Sequence, residues 1–159
     1  KDARVIRCVL YSKNAVNYLS ALGFPIGLKM NLRIPDFIRK NKKSLIKCLR
    51  GLTDTDGSLA PHPNSKIMIH LSITSETLRN DVSEALNLLD INHGKFNKGI
   101  MLYSNNAKKF CQVIGFSNTK NLIKYEKFLK YGVVPKSKDV EIFIRDKNSR
   151  LLKAHKLAV

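Results

Sequence analysis

The chain has 159 residues, 43% of them hydrophobic, so it can bury a core and is not a disordered basic tail. Its 29 Lys and Arg against 12 Asp and Glu give a net charge of +17. That excess calls for a polyanion, and nucleic acid stands ahead of an anionic membrane because neutralised phosphates release condensed counterions. No segment approaches the roughly 20 apolar residues that span a bilayer, and no basic start, apolar run and small-residue cleavage site marks a secretory leader. Because Lys1 rather than Met comes first, native residues are expected before it. Cys8, Cys48 and Cys111 are widely spaced among apolar neighbours. They make neither a disulfide framework nor a zinc motif, and point to buried thiols in an intracellular, reducing compartment.

Taken in order, VLYSKNAVNYLSALGF (9–24) reads as a strand running into a helix, and it matches MLYSNNAKKFCQVIGF (101–116) without a gap. Seven of 16 positions are identical, from Leu10 and Leu102 to Phe24 and Phe116 at one offset of 92. Residues 1–43 are therefore expected to be an extension resembling the strand–helix end of a duplicated unit whose first part is absent. The core, 44–135, opens on SLIKCLRGLTDTDG (44–57), whose Leu45, Leu49 and Leu52 share one helical stripe beside a stripe of Cys48, Gly51 and Thr55. Gly57 supplies a stop. SLAPHPNS (58–65) reads as a short strand entering a turn, since Pro61 and Pro63 suit an edge or loop.

KIMIHLSIT (66–74) alternates: Ile67, Ile69, Leu71 and Ile73 point to a core, and Lys66, Met68, His70, Ser72 and Thr74 point away. A helix over 75–90 follows, capped by Ser75, with Leu78, Val82, Ala85, Leu86 and Leu89 in register. Strands over 91–97 and 100–104 are expected to meet at Lys98-Gly99, with Ile91 and Phe96 kept for the core. Helices over 105–115 and 118–131 come next. The basic segment 136–159 closes the chain, strand-like at VEIFI (140–144) and then helical. The class is α+β with an antiparallel sheet.

Asp54 and Asp56 decide the function. A calcium loop begun at Asp54 would need Gly at Leu59 and Glu at Ser65; begun at Leu52, its first ligand and its last, Pro63, both fail. A haloacid-dehalogenase phosphatase would make Asp54 the nucleophile and Asp56 the acid. Its motif must end a buried parallel strand, an apolar run that Lys47, Arg50 and Gly51 interrupt here. As a helix the stretch is coherent. The small-residue stripe lets two such helices approach closely, and each helix end adds partial negative charge to an Asp56 carboxylate. Two together demand hard cations.

LRGLTDTDG (49–57) resembles the motif that names the LAGLIDADG homing endonucleases, and the order of strands and helices is similar to that fold, αββαββα. IGFSNTKN (114–121) looks like the family's segment before its active-site lysine. The resemblance implies that Asp56 is the catalytic, metal-binding carboxylate, that Thr55 offers a backbone carbonyl to the metal, and that Asp54 is structural. It places a polar site residue on Ser75, a basic one on Arg79 and the lysine on Lys120, with Lys124 the next choice. It implies Mg2+, double-stranded DNA and a homodimer joined through Cys48, Gly51, Leu52 and Thr55. An antiparallel ribbon fits the major groove. Its free face is expected to offer Ser58, Ala60, His62, Asn64, Lys66, Met68, His70 and Ser72, with His93, Lys95 and Asn97 from the second hairpin. A splicing helper that binds intron RNA, or a regulator that binds DNA without cutting, would use the same scaffold. An intein is disfavoured, since HKLAV (155–159) lacks a His-Asn end.

Overall fold

A computed structural model describes residues 9, 11–24, 26 and 32–140. Within them run helix α1 (Lys13–Ala21), a single turn α2 (Asp36–Arg39), the motif helix α3 (Lys42–Asp56), strands β1 (Gly57–Ala60) and β2 (Met68–Ser72), and helix α4 (Glu76–Leu88). Strands β3 (Gly94–Phe96) and β4 (Gly99–Tyr103) and helices α5 (Ser104–Val113) and α6 (Thr119–Tyr131) complete the order. From α3 to α5 this is αββαββα, an α+β fold. The main helices start on side-chain caps. Asn41 accepts from the Ser44 N–H at 3.0 Å, Ser75 from Leu78 at 3.4 Å and Asn118 from Asn121 at 2.7 Å. Helix α6 stops at Gly132, whose φ of 71° lies in the left-handed region that favours a residue without a Cβ.

The four strands form one antiparallel sheet in the order β1-β2-β4-β3. Leu59 pairs with Ile69 and Ile69 with Leu102, while Leu71 pairs with Ile100. These five side chains are at most 2% exposed and share a core with Leu45, Leu49, Val82, Leu86, Phe110 and Phe128 of the helices. Burying each such aliphatic chain stabilises the fold by about 1.5–3 kcal/mol. Alternation sends Ser58, Ala60, Met68, His70, Ser72, Met101 and Tyr103 to the other face, where all stay exposed or half-exposed.

Several sequence expectations need correcting. The β3–β4 turn is Asn97-Lys98, and Gly99 is already in the sheet. A Cβ on Gly99 would sit 2.1 Å from the Leu71 carbonyl oxygen, so the strand admits only glycine there. The strand before that turn is short, and its phase is opposite to the expected one. Lys95 pairs with Ile100 and so turns to the helix side, where Nζ donates to Asn80 Oδ1 of α4 at 2.9 Å. His93 lies 2.7 Å from Ser83 of the same helix. Phe96, expected in the core, is 37% exposed and stacks on His70 on the free face, with ring centroids 5.5 Å apart. A one-residue slip inverts every side chain. On α3, Thr53 rather than Leu52 completes the buried stripe, its hydroxyl donating to the Leu49 carbonyl at 2.7 Å. Val140 belongs to a helical turn over 137–140; the rest of the expected strand and tail lies outside the described residues, as does Cys8.

The two copies of the repeat end alike, with Gly23 at φ 90° and Gly115 at φ 69°. Their packing differs. Helix α5 buries Ala107, Phe110 and Cys111, whereas α1 has no buried residue and leaves Tyr18 65% and Leu19 44% exposed. The segment leading into α3 is anchored on α4. Asp81, 2% exposed, accepts from the Ile34 N–H at 2.9 Å, Arg33 at 3.0 Å and Arg39 at 3.3 Å. Burial alone would raise this carboxyl, but those hydrogen bonds and the arginine charges outweigh it and hold it below its ordinary value.

Candidate functional site

Asp56 is the last residue of α3 and is exposed. The helix stops there because Gly57 turns directly into β1, its N–H still donating to the Thr53 carbonyl. A Cβ on Gly57 would lie 2.5 Å from that oxygen and 2.9 Å from Leu71 Cδ2, so the corner is built for glycine. The carboxylate thus stands where the negative end of a helix meets the first strand of the sheet. Thr55 turns its hydroxyl back to the carbonyls of Gly51 (3.2 Å) and Leu52 (3.1 Å).

Beside Asp56 opens a cleft of about 890 Å³, lined among others by Leu52, Ser72, Ser75, Glu76 and Asn80. The sequence-assigned Asp56, Ser72 and Ser75 are therefore brought together. Ser75 is engaged as the α4 cap, and its Oγ also lies 3.0 Å from Thr77 Oγ1. Arg79 is not among the lining residues. It is 9% exposed, and its guanidinium donates to the carbonyls of Ile73 (2.9 Å) and Thr74 (3.5 Å), which do line the cleft. It braces the wall from behind, rather than pairing with Glu76 or Asp81.

Asp54 is a clamp between helices. Its carboxylate accepts from the backbone N–H of Ser117 (2.9 Å) and Asn118 (3.2 Å) and from the Asn118 side chain (3.1 Å). Asn118 caps α6, so the start of that helix, where half-exposed Lys120 sits, is tied to the last turn of α3. The two candidate lysines differ in burial. Lys124, 2% exposed, gives Nζ to the Leu59 carbonyl at 2.7 Å and to Ser137 Oγ at 3.0 Å.

Of the expected interface residues, Gly51 and Thr55 are exposed and Cys48 and Leu52 half-buried, and a Cβ on Gly51 would meet nothing within 4 Å. On the sheet, Ser58, Ala60, Met68, His70 and Ser72 share the free face as expected. His62, Asn64 and Lys66 lie in the 61–67 loop, with the His62 ring edge-on to Tyr103 at 5.1 Å, and Asn97 is in the β3–β4 turn. Met101, Tyr103 and Phe96 were missed. The first two alternate with Ile100 and Leu102 and were legible by that period.

Among the described residues no three His, Cys, Asp or Glu side chains form a cluster. A cation at Asp56 would have from this chain one carboxylate and carbonyl oxygens of the helix end, Thr55 the nearest in sequence. Such a sparse, all-oxygen set fits Mg2+, which keeps much of its water. Among the described residues no helix is long and apolar enough to cross a membrane. No curated protein and no solved structure matches the chain. Residues 44–127, more than half of it, match the family model for a LAGLIDADG-like domain, from the motif helix into α6. The α+β fold, with the Asp-Thr-Asp-Gly corner at the end of its first core helix, agrees with that match, and the chain belongs to the LAGLIDADG homing endonuclease family.

Proposed function

We propose that this chain is a sequence-specific DNA endonuclease that makes a metal-dependent double-strand break at a long, pseudo-palindromic site, acting as a homodimer. The observation that carries the reading is the placement of Asp56: an exposed carboxylate on a helix end, beside an open cleft and at the edge of an uncovered sheet face. Hydrolysis of a phosphodiester needs an activated water, compensation of the charge that builds on phosphate, and help for the departing 3′ oxygen. Asp56 and the Thr55 carbonyl would hold the divalent cation, and Asp56 would orient the attacking water. Bound there, Mg2+ would supply a more acidic water and a counter-charge to the phosphate. Lys120 would face the phosphate as a fixed positive charge, kept in register by Asp54, and Arg79 would hold the cleft wall. One chain supplies one such carboxylate, so two α3 helices packed at Cys48, Gly51, Leu52 and Thr55 would provide one site per strand. The +17 charge would hold the duplex backbone.

Asp56→Asn tests this. Cleavage of a selected site with Mg2+ should fall about a hundredfold to a thousandfold, as for loss of a principal transition-state group, while binding changes little. An Asn variant that cuts at near wild-type rate refutes the assignment. Wild-type chain that leaves DNA uncut but binds folded intron RNA would favour the splicing-helper reading instead.

A further inference from the structure

We propose that the middle of the sheet reads thymine methyl groups, so that the DNA lying across β2 and β4 is A·T-rich. The inference rests on the sheet being the DNA-reading surface. Strand register arranges the free face in three rows: Ala60, Met68 and Tyr103; then Ser58, His70, Met101 and Gly94; then Ser72, Gly99 and Phe96. None of these ten residues carries a guanidinium, an ammonium, an amide or a carboxylate side chain. Yet the side chains that pair bidentately with guanine are Arg and Lys, those for adenine are Asn and Gln, and cytosine is met by Asp and Glu. The hydroxyls of Ser58 and Ser72 and the His70 ring can meet either kind of base pair, so what distinguishes these rows is the apolar surface beside them. Phe96 is 37% and Tyr103 38% exposed, with Met68 and Met101 half-exposed beside them.

A contiguous apolar patch on a surface marks a contact where single apolar side chains do not; Met68 pairs with Tyr103 and Met101 touches it, and the apolar group a base pair shows in the major groove is the thymine C5 methyl. The groups are also held in place. The Tyr103 hydroxyl lies 2.7 Å from Met101 Sδ, the His62 ring stands against Tyr103, and His70 is stacked on Phe96. Charge sits at the two ends, with Lys66 in the loop joining β1 and β2, and Lys98 in the β3–β4 turn. Phosphate contact at the ends and methyl contact between them is the division of labour this layout supports.

The full chain would be used, without divalent metal, to select sites from a random duplex library. The selected sites should be A·T-rich in two stretches, one per half-site. Replacing single thymines there by deoxyuridine, which removes only the methyl, should weaken binding about threefold to fivefold at the contacted positions. Met68→Ala or Met101→Ala should abolish that difference at one position each while leaving the salt dependence of binding unchanged. Sites rich in G·C under the sheet, or deoxyuridine tolerated at every position, would overturn the inference and leave the nuclease reading standing. No selection of duplex DNA at all, or preference for single strands, would overturn both.

Discussion

Gly51 separates what α3 needs for itself from what a partner helix would need. It is exposed in the middle of the helix, and a Cβ there would touch nothing within 4 Å. Glycine in a helix interior costs roughly 0.5–1 kcal/mol relative to alanine. Within one chain, then, Gly51→Ala should raise unfolding stability by about that amount, and Gly51→Leu should do nearly as well because leucine is a good helix former. If two α3 helices cross at this point the result reverses. Each added leucine would overpack a close contact at about 1–3 kcal/mol. Two copies meet in a homodimer, so the association constant should drop by roughly 30-fold to 20,000-fold at 1.4 kcal/mol per factor of ten. Urea denaturation reads the first effect and sedimentation velocity at micromolar concentration the second, with plasmid cleavage alongside. A Gly51→Leu chain that dimerises and cuts like wild type would refute close packing at Gly51. A wild-type chain that stays monomeric and still cuts both strands would remove the homodimer altogether.

Asp54→Ala should cost about 1–3 kcal/mol, because it removes the charged hydrogen bonds to the N–H groups of Ser117 and Asn118 and to the Asn118 side chain. It should also slow cleavage by letting α6 and Lys120 shift; unchanged denaturation midpoints would contradict the clamp. Asp81→Asn should cost about 2–3 kcal/mol by weakening charged hydrogen bonds to a partly exposed arginine pair. Since folding lowers the Asp81 pKa, its contribution is present above the unfolded value of about 3.9 and is lost as pH falls through the folded one. The wild-type advantage over Asp81→Asn should therefore be full at pH 6 and shrink below about pH 4; a pH-independent gap would count against the ion pairs. Finally, Tyr18→Ala on α1 should alter stability by less than about 0.5 kcal/mol, while Phe110→Ala at the same repeat position of α5 should cost about 3–5 kcal/mol. Equal costs would show that α1 is packed in the isolated chain.

What the sequence by itself determined is whatever neighbouring residues decide among themselves. The alternation of Ile67 to Ile73, the Ser75 cap and the Gly57 stop each act within a few residues, and so strand, helix start and helix end were legible. Asp56 at a helix end followed from the same local pattern. Tertiary structure decided everything that depends on what lies opposite. Three residues of β3 are too few for alternation to set a phase, so pairing with β4 chose which side Lys95 and Phe96 face. Lys120 and Lys124 are one turn apart on the same helix, yet Ser137 and the Leu59 carbonyl close over only the second. The near-repeat of 9–24 and 101–116 makes the limit clearest. Similar letters form a helix in both places, but α5 lies against the sheet formed by β2 and β4 and α1 has no buried residue. Helical periodicity specifies an apolar face; burial requires a second surface, and the helix's own sequence does not contain it.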